Sequence, residues 1–168
     1  MLSTPVILTV AGSDCSGGAG IQADIKTISA LKGYAASVIT AVTAQNTVEV
    51  QAVYPIPPDI VRMQTESVMD DLQPAAVKIG MVHNAAIVRA IAECLQRFRP
   101  RFVVCDPVMV STSGRQLMTE DTIHTIQEEL FPLCSLITPN LSEASLLLAR
   151  TVTDVEDMKQ AARELADR

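Results

Sequence analysis

Tryptophan is absent, and aromatic residues make up only 3% of the 168-residue chain. The core must therefore be aliphatic, and there is no set of rings on which nucleic-acid bases could stack. Positive charge is scarce as well: 13 Lys and Arg against 19 Asp and Glu leave a formal net charge of −6. That balance argues against a basic footprint for nucleic acid or for an anionic membrane. No apolar run approaches the length of a membrane span. The first residues show neither the basic start nor the long apolar stretch of a signal peptide. Cys15, Cys94, Cys105 and Cys134 lie far apart and form no metal-type pair. They read as small buried hydrophobes of a reduced, cytoplasmic protein. His83 and His124 are isolated and have no ligand partner in sequence.

Hydrophobic residues make up 48% of the chain, and its length suits one ordinary domain with a sizeable core. The stretch that organises it is Gly12 to Asp24, GSDCSGGAGIQAD. An apolar run from Val6 to Val10 leads in, and Ile21, Ile25, Ile28 and Leu31 lead out at helical spacing. Gly12, Gly17, Gly18 and Gly20 allow positive φ and close approach between strand and helix. The N–H groups of such a loop suit a polar or anionic ligand. A flexible turn with no ligand is the alternative. Walker A is excluded, because Gly17 is followed by Gly18 and Ala19 rather than by Lys and Ser or Thr. The dinucleotide fingerprint fails at its third glycine, since Gly18–Ala19–Gly20 runs on into Ile21, Gln22 and Ala23.

Strand and helix patterns alternate along the rest. Strands are predicted at 6–11, 35–43, 48–54, 75–79, 102–105 and 135–138. Helices are predicted at 20–31, from Pro58 to Leu72, from Asn84 to Phe98, from Thr119 to Leu130, at 142–149 and at 154–167. Gly33 fits a helix C-cap. In the last helix Val155, Met158, Ala162 and Leu165 are expected inward, and 111–115 reads as a polar loop. Alternation of this kind implies crossovers and a mainly parallel sheet with helices on its faces.

Chemistry-bearing residues follow the strands directly: Gly12–Ser13–Asp14, Gln45–Asn46, Gly80–Met81, Asp106–Pro107, and Asn140 with Glu143. In an open α/β sheet these ends share one edge, so one cleft is predicted. Each residue also has a plainer role. Asp24 could simply favour the helix dipole, Gln45 could bond loop backbone, and Asp106 could terminate its strand before Pro107. Asn140 and Glu143 match a capping box. Asp70–Asp71 reads as a solvated helix end, and Lys26, Lys32 and Lys78 fall within helix or strand patterns.

GSDCSGGAGIQAD, VITAVTAQN, KIGM, VVCDPVM and LITPNLSEA, in this order and spacing, resemble the hydroxymethylpyrimidine/phosphomethylpyrimidine kinase family, whose fold is ribokinase-like. The resemblance implies a three-layer αβα domain over 1–168. It implies MgATP-dependent phosphorylation of 4-amino-5-hydroxymethyl-2-methylpyrimidine and of its monophosphate. Gly12, Asp24, Gln45, Met81 and Val108 would line the pyrimidine pocket, with Gln45 on the aminopyrimidine edge. Asp106, Asn140 and Glu143 would lie on the ATP side. Asp106 and Glu143 would face Mg2+ through water.

Members of the family are longer and carry a C-terminal Lys-Gly-Gly strand end and a Gly-Thr-Gly-Cys anion-hole loop. No Gly-x-Gly-Cys follows Gly114, so no catalytic residue is assigned and the chain is expected to be an incomplete domain and a poor catalyst. Cys15 and Thr43 depart from the Pro or Ser and the aliphatic residue that the resemblance leads one to expect. A pyridoxal kinase of the same superfamily and a non-catalytic pyrimidine-binding module are the alternatives. The expected partner is the small aminopyrimidine, with no nucleic acid or membrane, and self-association into a homodimer left open.

Overall fold

The structure, a computed structural model, describes residues 4–109 and 118–167. The polar loop expected at 111–115 lies outside the described residues. The strands are β1 (Val6–Asp14), β2 (Tyr34–Gln45), β3 (Val50–Pro55), β4 (Ala76–Ile79), β5 (Val103–Cys105) and β6 (Leu136–Ile137). The helices are α1 (Gly20–Ala30), α2 (Pro58–Leu72), α3 (Ala85–Phe98), α4 (Glu120–Thr125), α5 (Leu141–Leu148) and α6 (Val155–Ala166). The strands form one sheet in the order β3-β2-β1-β4-β5-β6. Among the described strand pairs only β2–β3 is antiparallel.

The strands place alternate residues on opposite faces. On one face Leu8, Val10, Val38, Val77 and Ile79 join Val61 and Met69 of α2 and Ile87, Val88, Ile91 and Leu95 of α3 in the main core. Residues such as Ile87 and Ile91 are sealed from solvent, each burial worth about 1.5–3 kcal/mol. On the other face lie Thr9 and α1, which packs on β1 and β2.

Local signals account for the helix ends. Asn84 accepts the Ile87 N–H at 3.0 Å and caps α3, and Arg99 closes it at φ 48°. After α4 the chain leaves the α pattern through a π turn, Ile126–Leu130, and a 3₁₀ turn, Phe131–Leu133. Pro132 has no N–H to return to the carbonyl of Glu128, so a regular helix cannot run through it.

Two expectations are corrected. Lys32, not Gly33, takes the left-handed conformation after α1, at φ 64°. Gly33 is needed for space, since a Cβ there would lie 2.8 Å from Ile28 Cγ2. In α6 the buried residue is Ala161, while Val155 and Met158 are 63% and 49% exposed. Ala162 is exposed too, and Leu165 is half-buried. The reason is that α6 packs chiefly on Ala144 and Leu148 of α5 and on Val152 in the segment that follows it. Met158, Ala162 and Leu165 instead line a groove of about 830 Å³ beside β6.

Candidate functional site at the strand ends

The glycine loop is closed by its own carboxylate. Asp14, only 3% exposed, accepts the Ser16 N–H and hydroxyl at 2.8 Å each, the Gly18 N–H at 3.0 Å and the Ala19 N–H at 2.8 Å. Burial alone would push its pKa up, but the hydrogen bonds together outweigh it and leave the carboxyl below its ordinary value. The expectation that the N–H groups of this loop await an anionic ligand is thus corrected for Ser16, Gly18 and Ala19. Gln22 adds a second clamp, accepting the Asp14 N–H at 2.8 Å and donating to Ser13 Oγ at 2.8 Å. Gly17 and Gly20 supply the positive φ, 79° and 57°. A Cβ on Gly20 would lie 2.2 Å from the Gly12 carbonyl oxygen, which explains that glycine by close approach.

Next to the loop is a small apolar wall. A Cβ on Gly12 would lie 2.6 Å from Met81 Cε, and Met81 packs with Ala41, Val53 and Val108. The Met81 carbonyl accepts the Thr40 hydroxyl at 2.7 Å, which anchors the end of β4 to β2. At the end of β2, Gln45 has its amide oriented by Thr43, whose hydroxyl lies 2.9 Å from Gln45 Oε1 and 3.0 Å from the Ser13 carbonyl. With the single Thr43 hydroxyl hydrogen directed to Oε1, the donor left to Gln45 is Nε2. The Cys15 thiol bonds the Gln45 carbonyl at 3.1 Å. Cys15 is exposed, contrary to the expectation for the cysteines, whereas Cys94 and Cys105 are buried. Cys15 and Thr43, both unexpected in sequence, therefore meet at Gln45. Asn46 is engaged locally, accepting the Val48 and Glu49 N–H groups.

The charged groups gather around a residue that sequence reasoning passed over. Lys78 stands beside Thr9 in the β1–β4 register. Its Nζ lies 3.0 Å from Asp24 Oδ1, 3.1 Å from Asp24 Oδ2 and 3.9 Å from Asp106 Oδ2. Thr9 donates to Asp24 Oδ2 at 2.6 Å. Asp24 and Asp106 thus share one edge of the sheet. The available signal was Lys78-x-Gly80: residues two apart share a strand face, and a glycine there leaves the lysine stem room.

Glu143, 4% exposed, forms the expected capping box, accepting the Asn140 N–H at 2.8 Å while Asn140 Oδ1 accepts the Glu143 N–H at 3.0 Å. Its pKa is raised, first by burial and further by the negative charge of Asp106, against the bonds from the Asn140 and Met109 N–H groups. Among the described residues no group of three or more His, Cys, Asp or Glu side chains is placed to hold a metal. The pair Asp106 and Glu143 is what could face a cation. The groove beside β6 reaches Asn140 but is lined mainly by apolar side chains such as Leu136, Ile137 and Ala161.

A mostly parallel sheet flanked by helices, with its polar strand ends on one edge, defines a ribokinase-like αβα fold. The phosphomethylpyrimidine kinase family model matches residues 14–168, and the chain belongs to that family. The hydroxymethylpyrimidine/phosphomethylpyrimidine kinase of Salmonella typhimurium is 55% identical over 141 residues, 84% of this chain. The chain spans about half of that relative's length, 53%. The crystal structure of phosphomethylpyrimidine kinase from Clostridium difficile 630 superposes with a TM-score of 0.91 at 45% identity, covering 98% of this chain and 71% of that one. The pyridoxal kinase of Staphylococcus aureus, solved with pyridoxal, gives 0.88 at 32% identity, covering 98% of this chain and 60% of that one.

Proposed function

We propose that this chain forms the pyrimidine-binding part of an ATP-dependent kinase. Its substrates are 4-amino-5-hydroxymethyl-2-methylpyrimidine and the monophosphate of that compound, in thiamin biosynthesis, and residues 1–168 belong to a single domain. The observation that carries the proposal is Gln45, its amide oriented by Thr43 beside the wall of Met81 and Val108. A flat neutral heterocycle stacks against such a wall, and its ring nitrogen accepts from Gln45 Nε2. Gly12 has no side chain and so leaves Met81 free to lie along the ring. Asp24 keeps acceptor capacity beyond its bonds to Thr9 and Lys78 and takes the substrate's amino or hydroxymethyl hydrogen.

Asp106, Asn140 and Glu143 form the nucleotide side. The donor set suits Mg2+, which takes one or two carboxylates and completes its shell with water and phosphate. Asp106 would hold the ion directly and Glu143 through water. The raised pKa of Glu143, due in part to Asp106, marks a pair of negative groups that a cation would relieve. Bound there, Mg2+ neutralises charge on the nucleotide phosphates. The chain's own residues bind and orient; none is assigned as the catalytic group. Four free cysteines support a reduced, cytoplasmic setting.

Identity to the pyrimidine kinases above that to the pyridoxal kinase favours the pyrimidine. Calorimetric titration of the chain with the aminopyrimidine and with pyridoxal tests this. Binding of the aminopyrimidine in preference to pyridoxal is expected; preference for pyridoxal, or binding of neither, overturns the proposal.

A further inference from the structure

Lys78 has no part in the pyrimidine and nucleotide contacts proposed above, yet it is the one described cation lying between their two carboxylates. Its ammonium sits within 3.1 Å of both oxygens of Asp24 and 3.9 Å from Asp106 Oδ2. The carboxylates come from α1 and from the end of β5, so no local geometry relates them. The fold also makes room for the ammonium: a Cβ on Gly80 would lie 3.0 Å from Lys78 Nζ and 3.1 Å from Ala11 Cβ. The stem of Lys78 therefore runs over a glycine toward the C-terminal edge of the sheet. Thr9, beside Lys78 on the neighbouring strand, also donates to Asp24 Oδ2 at 2.6 Å. The ammonium is thus held closer to Asp24 than to Asp106.

We propose that Lys78 is a positioning residue that ties Asp24 to Asp106 and acts as a resident counter-charge for Asp106. The proposal rests on the kinase reading for the identity of the ligands. Because Asp24 holds Lys78 back, Asp106 is only partly neutralised and remains open to a divalent cation. Two unit charges about 4 Å apart interact appreciably even in a well-screened site, and more strongly when one partner is a divalent ion. Removing the ammonium should therefore strengthen cation binding, while releasing it from Asp24 should weaken it. A lysine that merely packed against the strand would give neither sign.

The test is calorimetric titration of the chain with Mg2+ alone, in nucleotide-free buffer. Lys78→Met is expected to bind Mg2+ about tenfold more tightly than the unsubstituted chain. Lys78→Arg, which keeps the charge, should stay close to it. Asp24→Asn, which frees Lys78 to pair with Asp106, should bind more weakly. Unchanged or weaker Mg2+ binding by a folded Lys78→Met, or binding by no variant, overturns the proposal. If circular dichroism shows that Lys78→Met does not fold, Asp24→Asn decides: weaker binding supports the proposal and unchanged binding overturns it. In parallel, the aminopyrimidine should bind Lys78→Met less tightly, with partial rescue in Lys78→Arg. A chain that binds no aminopyrimidine overturns the kinase reading, while the Mg2+ titrations still decide the role of Lys78.

Discussion

Asp14 and Glu143 are both buried carboxylates at the strand-end edge, exposed by 3% and 4%, yet their pKa values move in opposite directions. Asp14 sits in a ring of donors from its own loop, which favours its charged form. Glu143 has the Asn140 and Met109 N–H groups and the Asn140 side chain against its burial and the charge of Asp106, and burial prevails. The difference teaches that a buried carboxylate need not mark a ligand site. Asp14 completes the loop's hydrogen bonding, whereas Glu143 carries charge that its surroundings leave partly uncompensated.

The largest effect that tests this contrast is expected at Asp14. Asp14→Ala leaves the Ser16, Gly18 and Ala19 N–H groups without their acceptor and should cost about 2–3 kcal/mol in urea denaturation. The pH dependence follows in sign. A folded-state pKa below the ordinary 3.8 adds stability above that value, and the gain is lost as pH falls through the folded pKa. Asp14→Asn should therefore flatten the acid limb of the stability profile, and an unaltered limb would remove the architectural role.

Gln45→Ala comes next. It should weaken aminopyrimidine binding by on the order of 1–3 kcal/mol in calorimetry, since the ligand edge loses its donor. Gln45→Glu should be worse for a ligand with an acceptor at that point, because a carboxylate has no hydrogen to give. Thr43→Val should show a smaller loss, about 1 kcal/mol, by releasing the Gln45 amide from its set orientation. Equal losses for Thr43→Val and Gln45→Ala would mean that Thr43 does more than orient.

The smallest effect is expected at Glu143. Glu143→Gln keeps an acceptor for the Asn140 N–H and removes the repulsion from Asp106, so neutral-pH stability should change by no more than about 0.5 kcal/mol. A loss as large as that at Asp14 would erase the contrast between the two groups. The β6 edge offers a separate measurement. Leu136 is 55% exposed on the last strand of the sheet, beside the apolar groove. Among the described residues no strand pairs with the outer edge of β6, and an edge of that kind invites association. Sedimentation should show self-association that weakens in Leu136→Lys.

The sequence by itself determined what local spacing encodes. The alternation of apolar runs and helical repeats yields the parallel sheet, Asn84 and Asn140 yield their caps, and strand ends bearing polar residues yield the shared edge that holds Asp24 and Asp106. Only the tertiary structure decided how those groups are used. Lys78 reaches Asp24 across 54 positions, Cys15 reaches Gln45 across 30, and neither contact leaves a periodic trace in the chain. Asp14 could be read as a ligand-facing residue until the folded loop turned its N–H groups inward onto that carboxylate. The inward face of α6 was misjudged for the same reason: amphipathic spacing shows that a helix has an apolar side, but its packing partner sets how much of that side is covered. Here α6 leans on α5, and Met158 and Ala162 are left facing an open groove.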